Sequence, residues 1–205
     1  MKREEQNEKS RNRILQAALK EYGTKNYSET SINTICNENG ISKGLIYHYF
    51  GNVDQVFLAC VEECFSKMYQ YLEENICFIP EDRDATMDSF MKVRCAFFKD
   101  HPELAHIFSI ALFQTPSHLR AEVKQRKVQL DAFNRSFLRE FLNLVELRED
   151  ITKEEAIEYI MSFSEFYNST FESEEMSDYT EQERLELHEK KMKKSIDLLL
   201  YGIGK

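Results

Sequence analysis

Residues 30–50 read TSINTICNENGISKGLIYHYF, and this stretch decides the fold. Thr30 or Ser31 can cap a short helix running to about Glu38, with Ile32, Ile35 and Cys36 facing inward. Asn39-Gly40 then supplies residues that accept positive φ, so the chain can turn sharply. Ser42 is placed to cap a second helix through about Tyr49. Two short helices meeting at a glycine turn form a helix-turn-helix. In that unit the second helix can enter a DNA major groove while the first lies across the backbone. Thr30 and Ser31 would offer hydroxyls and free amides to a phosphate. Ser42 and Lys43 stand at the end of the second helix that meets base edges, and Gly44 leaves room for close approach. Tyr47, His48 and Tyr49 add hydroxyl and imidazole groups for phosphates, sugars or bases. Tyr47 and Tyr49 have packing as their alternative role, and His48 has plain exposure. Ile35, Ile41, Leu45 or Ile46, and Phe50 would hold the two helices together.

The rest of the 205-residue chain reads as helix too. Only six Gly and three Pro interrupt it, with 42% hydrophobic and 31% charged residues, a composition that can bury a core without disulfides or metals. Ahead of the motif, Ile14, Leu15, Ala18, Leu19 and Tyr22 repeat at helical spacing over 10–22, and Gly23 offers a stop. Behind it, Val53, Val56, Phe57, Cys60, Cys64, Met68, Tyr71 and Leu72 mark a long helix, then Ile79-Pro80-Glu81-Asp82 a loop. Further helices are expected at about 84–99, 102–113 and 117–147. Two more carry Ile157, Ile160, Phe163, Phe166, Tyr167, Thr170 and Phe171, and Leu185, Met192, Ile196, Leu199, Leu200 and Ile203, with an acidic link at about 172–181 between them. The expected class is all-α: a DNA-binding unit over 1–52 and a larger helical domain over 53–205.

The net charge is −9, yet residues 1–54 hold eight Lys/Arg against seven Asp/Glu, so the acidity lies beyond them. A near-neutral head on an acidic body suits a nucleic-acid module. The basic start, with Lys2, Arg3, Lys9, Arg11 and Arg13, could reach an adjacent groove, although Glu4, Glu5 and Glu8 dilute it. Five cysteines at 36, 60, 64, 77 and 95 form no disulfide framework, and no His pair stands near Cys60 and Cys64 at zinc spacing. Buried apolar thiols are the expected state. The charged N-terminus lacks a signal core and no run reaches membrane-span length, so a cytoplasmic protein is expected.

These residues resemble the TetR family of transcriptional regulators. Thr30, Ile35, Gly40, Ile41, Ser42, Gly44, Ile46, Tyr47, Tyr49 and Phe50 fall on the family's pattern, with Ile14-Leu15, Ala17-Ala18, Tyr22-Gly23 and Tyr27 matching ahead of it. The likeness covers about residues 10–60. Two departures stand out. Cys36 replaces a usual alanine, and Val53, followed by Asp54, stands where the family often has a lysine. DNA affinity would then rest more on Lys43, the tyrosines and the basic start. The resemblance implies a homodimer paired through the last two helices, a palindromic double-stranded operator, and repression relieved by a small, largely apolar effector. Met68, Met91, Arg94, Cys95, Phe98, Phe108, Phe113, Phe137 and Tyr167 are candidate linings for its cavity, with ordinary core packing as their other role. Arg94 interrupts an apolar face. It would meet an acidic ligand or, more commonly for such a residue, snorkel to the surface.

A different class, an interaction scaffold that keeps the helix-turn-helix for a protein partner, draws on the absent lysine and the acidic balance. An enzyme finds little support: there is no Gly-rich phosphate loop, no His-Glu-x-x-His pair and no nucleophile elbow. The sequence points to no cofactor, no metal and no catalytic residue.

Overall fold

A computed structural model describes residues 2–171 and 179–204. Among these residues the chain forms ten α-helices and no strand. The acidic link between the last two helices falls mostly outside the described residues, as do the side chains of Lys2, Arg3 and Ile203.

Helix α1 (Lys2–Tyr22) precedes a short 3-10 turn at Tyr27–Glu29. Then come α2 (Ile32–Asn39), α3 (Lys43–Phe50) and the long α4 (Val53–Asn75). Local chemistry sets their ends. Ser31, not Thr30, caps α2 by accepting from the Asn33 amide, and Ser42 caps α3 through the Leu45 amide. Gly40 ends α2 at φ 58°, a conformation a β-carbon would strain. Asn52 caps α4. Gly23 ends α1 where a β-carbon would lie 2.6 Å from Cβ of Glu103, so its missing side chain lets α1 meet the body. The first helix is longer than the apolar spacing indicated. Residues 2–9 contain no breaker, and the exposed polar stretch 4–9 leaves no hydrophobic period to read.

The body comprises α5 (Arg83–Asp100), α6 (Pro102–Phe113), α7 (Arg120–Arg126), α8 (Val128–Phe141), α9 (Lys153–Thr170) and α10 (Glu181–Ile203). Asp82 caps α5, Pro102 opens α6, and Thr152 with Glu155 and Thr180 with Glu183 form capping boxes on α9 and α10. The single helix expected over 117–147 is broken. A 3-10 turn at Ser117–Leu119 leads into α7. The Lys127 amide is then shared between the Val123 and Lys124 carbonyls, and α8 ends in another 3-10 turn at Leu142–Leu144. Lys127 pairs with Asp131 at 3.0 Å across this junction. Leu147 and Gly204 form an isolated antiparallel bridge that ties the end of α10 to the segment after α8.

Two apolar clusters result. One joins α1, α2 and α3 to α4, α6 and α7, with Ile14, Tyr22, Ile35, Ile46, Phe57 and Phe65 fully buried. The other gathers Met87, Phe90, Phe137, Phe141, Ile157, Ile160 and Met192 from α5, α8, α9 and α10. Burying side chains of this kind contributes about 1.5–3 kcal/mol each relative to leaving them exposed. Not every expected inward residue points inward. Phe166 on α9 is 65% exposed, because the α9 stripe is wider than the face α9 packs. Cys36, Cys60 and Cys64 are buried, but Cys95 is half-buried and Cys77 exposed, since Cys77 follows the end of α4. No described helix is long and apolar enough to cross a membrane.

Candidate nucleic-acid interface and ligand cavity

The second helix of the helix-turn-helix, α3, divides cleanly. Ile46 and Phe50 are buried with Ile41, and Leu45 is half-buried, so this side holds α3 against α1, α2 and α4. Ser42, Lys43, Gly44, Tyr47 and His48 are exposed on the other side. Spacing of one and four residues puts them on one helical face. The Lys43 ammonium lies 6.0 Å from the centre of the Tyr47 ring, within reach of a weak cation–π contact that holds both toward solvent. Nothing fills the space beside Gly44 within 4 Å of where a β-carbon would sit. Thr30 and Ser31 are half-buried just before α2; Thr30 Oγ1 bonds back to the Asn26 carbonyl and Ser31 Oγ serves the cap.

Tyr49 stands apart from its neighbours. It is half-buried and its hydroxyl donates to Asn7 Oδ1 of α1 at 3.1 Å. The basic start is a continuous helix rather than a loose arm. Arg13 faces back toward the protein, donating to the Asn39 carbonyl at 2.5 Å, and Arg11 sits over the Phe50 ring at 5.2 Å. A cation at the C-terminal end of α2 satisfies carbonyls that the helix leaves free. Asp54, at the place beside the absent lysine, accepts a hydrogen bond from Tyr27 and lies 3.4 Å from His118 of the turn before α7. Burial and this bond to Asp54 push the Tyr27 phenol up to about 12. Asp54 therefore ties the first turn of α4 both to Tyr27 before α2 and to the turn before α7.

Between α5, α6, α8, α9 and α10 lies an inner cavity of about 90 Å³. Of the residues singled out by sequence, Met91, Arg94, Phe108 and Phe137 line it. Met68 and Phe98 are buried in the first apolar cluster instead. Cys95 is half-buried, with its thiol pushed up to about 11 by burial and by Glu189. Tyr167 stacks along α9 with Phe163 and meets Phe171 and His188. Phe113 lines an outer cavity of about 400 Å³ between α6, α7 and α9.

Arg94 corrects the expectation of a snorkelling side chain. It is 8% exposed and makes a two-pronged contact with Glu189 of α10, at 2.6 and 2.9 Å. Its guanidinium also lies over the Phe90 and Phe108 rings, at 5.6 and 5.8 Å. The α5 face that carries it is covered by α10, so the guanidinium is held inside, and a buried charge must find a partner. Burial alone would raise the Glu189 carboxyl. The Arg94 charge, with hydrogen bonds from His188 and Arg94, overrides burial and holds it at about 2. His188 Nε2 lies 2.8 Å from Asn168 Oδ1 of α9, so the network joins three helices along the cavity wall. Sequence reading missed Glu189, His188, Asn134 and Asn168, which all line the cavity. The one available signal was Arg94 itself: an arginine on an apolar face implies a buried acid elsewhere. Among the described residues no three His, Cys, Asp or Glu side chains gather to hold a metal.

Residues 14–60 match the bacterial regulatory proteins of the tetR family, and residues 81–201 match the Tetracyclin repressor-like, C-terminal domain. The biofilm operon icaADBC HTH-type negative transcriptional regulator IcaR of Staphylococcus epidermidis is 22% identical over 163 residues, 78% of this chain and 84% of that protein. The HTH-type transcriptional repressor NicS of Pseudomonas putida is 23% identical over 171 residues, 82% of this chain and 79% of that one. Among solved structures, the transcriptional regulator FadR of Bacillus subtilis, in complex with stearoyl-CoA, shares the fold. Its TM-score is 0.65 at 18% identity, over 93% of this chain and 98% of its own.

Proposed function

Because this chain belongs to the TetR family of transcriptional regulators, we propose that it represses transcription by holding a palindromic operator as a homodimer and lets go when a small molecule enters the body. The observation that carries this reading is the outer face of α3, where Ser42, Lys43, Gly44, Tyr47 and His48 are presented to solvent while the opposite face is fixed in the core. In this reading residues 1–52 form the DNA-binding head and residues 53–205 the ligand-binding and dimerisation body. The boundary falls at Asn52, the cap of α4.

Dimerisation is supported by the last two helices. Tyr159 and Phe166 on α9, and Leu198 and Tyr201 on α10, are large apolar side chains 55–80% exposed in the single chain. A second copy would cover them and bring two α3 helices side by side, about 34 Å apart for half-sites one turn apart. The inner cavity, mostly apolar with a few polar groups, supports a small-molecule effector. Coupling of about 1–3 kcal/mol between ligand and DNA would make a useful switch. The work is binding rather than turnover, and its place is the cytoplasm. No specific observation favours the scaffold alternative.

Operator binding tests the proposal. Purified dimer should bind duplex DNA with an affinity that falls steeply as salt rises, because phosphate neutralisation releases counterions. Lys43→Ala and Tyr47→Ala should each weaken operator binding by about 1–3 kcal/mol, with helix content and dimerisation unchanged. A monomer, or variants that bind operator as the parent does, would refute it.

A further inference from the structure

The outer cavity is built differently from the inner one. Its wall carries three cations, Arg120, Lys124 and Lys127, against two carboxylates, Asp131 and Glu165. Lys124 lies 3.5 Å from Glu165, and Lys127 lies 3.0 Å from Asp131, so both acids are matched. Arg120 is exposed and makes no ion pair among the described residues. Among the described residues the wall of the outer cavity therefore carries one more cation than carboxylate, in a protein whose net charge is −9. Polar Asn168 and Ser169 of α9 complete the wall.

The inner cavity has no such excess. Arg94 is closed by Glu189 in a two-pronged contact, and the end of the chamber away from the outer cavity is largely apolar, with Met87, Phe90, Met91, Phe137, Met192 and Ile196 beside the polar Asn134 and His188. The two cavities share Leu112, Lys127, Asp131, Glu165 and Asn168, so they meet across one layer of side chains. The Lys127–Asp131 pair stands in that layer. An apolar chamber behind a cationic porch defines an occupant with two ends.

We infer that the outer cavity seats the anionic head of an amphiphilic effector, a carboxylate beside Arg120 and Lys124, while the effector's short apolar part enters the inner cavity. This deepens the proposed function and rests on the reading of the body as a ligand-binding domain. The charge balance decides the sign of the head. A cationic head would face three cations while the two acids are already matched. A neutral head would leave the excess charge of Arg120 unused. An anion bound here has a second consequence, because an anionic head beside Lys127 competes with Asp131 for it and loosens the layer between the chambers. The size of the inner chamber bounds the tail. At about 90 Å³ it is smaller than the roughly 150 Å³ that holds a benzene ring, so a short chain fits with little change and a longer one needs the methionines to shift.

The seat also lies next to the DNA head. The turn at Ser117–Leu119 leads directly into α7, and within it His118 lies 3.4 Å from Asp54, which also receives the Tyr27 hydroxyl. Arg126 at the far end of α7 reaches Gln55 at 3.5 Å. A head group that draws Arg120 and Lys124 inward thus pulls on the short helix that, together with the turn before it, holds the first turn of α4.

The test uses the full-length protein and linear carboxylates from butanoate to decanoate, each below its aggregation concentration, with titration calorimetry as the readout. Matched alcohols, alkylammonium ions and inorganic phosphate are the comparison probes. The carboxylates should bind, more tightly with length up to a limit, and alcohols of equal length should bind about tenfold more weakly. Phosphate alone and the ammonium ions should not bind. The double variant Arg120→Gln/Lys124→Gln should lose about tenfold for carboxylates and nothing for alcohols. Both side chains are exposed, so the fold should hold, and the single variant Arg120→Gln should show the same trend if the double variant does not fold. No carboxylate binding, ammonium or alcohol binding as tight as carboxylate, or unchanged carboxylate binding by the variants would overturn the inference. Duplex-DNA binding by the unliganded protein is measured separately, so failure of the regulatory reading would be seen apart from failure of this one.

Discussion

The outer face of α3 and the wall of the inner cavity are both surfaces for binding, yet they are held in place by opposite means. The local turn and cap that present α3 lie close to it in sequence: the Ser42 cap, the Gly40 turn, and Ile41, Ile46 and Phe50 beneath it. The cavity wall is assembled from residues spread between Met87 and Ile196 on five helices. Its polar centre, Arg94 with Glu189, joins residues 95 positions apart. A site made by short-range contacts can change its contact residues freely, because they carry little of the stability. A site made by long-range contacts is part of the core, and altering it alters the fold.

The largest effect should therefore come from the cavity. Glu189→Ala leaves the Arg94 guanidinium buried and unpaired, and loss of one partner of a buried pair costs about 3–5 kcal/mol. Urea unfolding measures it directly. Lys43→Ala, fully on the surface, should stay within about 0.5 kcal/mol of the parent. Equal stability of the two variants would erase the contrast. The same pair predicts an acid limb. The Glu189 carboxyl sits at about 2 in the folded chain, against about 4.3 when free. Its contribution is whole above about pH 4.3 and is lost as pH falls toward 2, since the unfolded chain then binds the proton first. Glu189→Gln should flatten the fall of Tm across that window.

The head should show a smaller and more local loss. Gly40 holds φ at 58° at the end of α2, and a β-carbon there meets its own backbone rather than a neighbour, the nearest atom being an Arg13 nitrogen at 3.6 Å. Gly40→Ala should cost about 1–2 kcal/mol. Operator affinity should fall more than that strain alone requires, because the turn sets the angle of α3. A variant with normal DNA binding and the full stability loss would show that the turn does not aim the helix.

This difference also explains what could be read from the sequence. Caps, a glycine turn and alternating buried and exposed positions act within a few residues, so residues 30–50 disclose α2, α3 and their two faces. For Tyr49 the sequence left contact and packing both open, because its partner, Asn7, is 42 residues away. In the body the helices were legible by period, but their mutual placement was not. Met68 and Phe98 have the same chemistry as Met91 and Phe108, and only the packing of α4 and α5 against their neighbours sends the first two into solid core and the others to a cavity. Glu189 sits in a run of charged residues that reads as a solvated face, and only the approach of α5 makes it an interior group. The break at Lys127 had no glycine or proline to announce it.

The smallest effect sharpens the comparison most, because it separates a residue that positions the head from one that touches DNA. Arg13 belongs to a basic start that sequence alone would assign to phosphates, yet its guanidinium is directed at the Asn39 carbonyl, at the C-terminal end of α2. Lost there, it should cost about 0.3–1 kcal/mol of stability, the usual worth of a cation at a helix C-terminus. Its effect on DNA binding should then be a uniform drop with the salt dependence unchanged, since no phosphate loses its counter-charge. Lys43→Ala should instead lower the salt slope by about one if Lys43 neutralises a phosphate. Measuring affinity against salt for Arg13→Ala and Lys43→Ala side by side distinguishes the two roles. A slope for Arg13→Ala reduced by about one would place Arg13 on the DNA and make the α2 contact a feature of the unbound protein only.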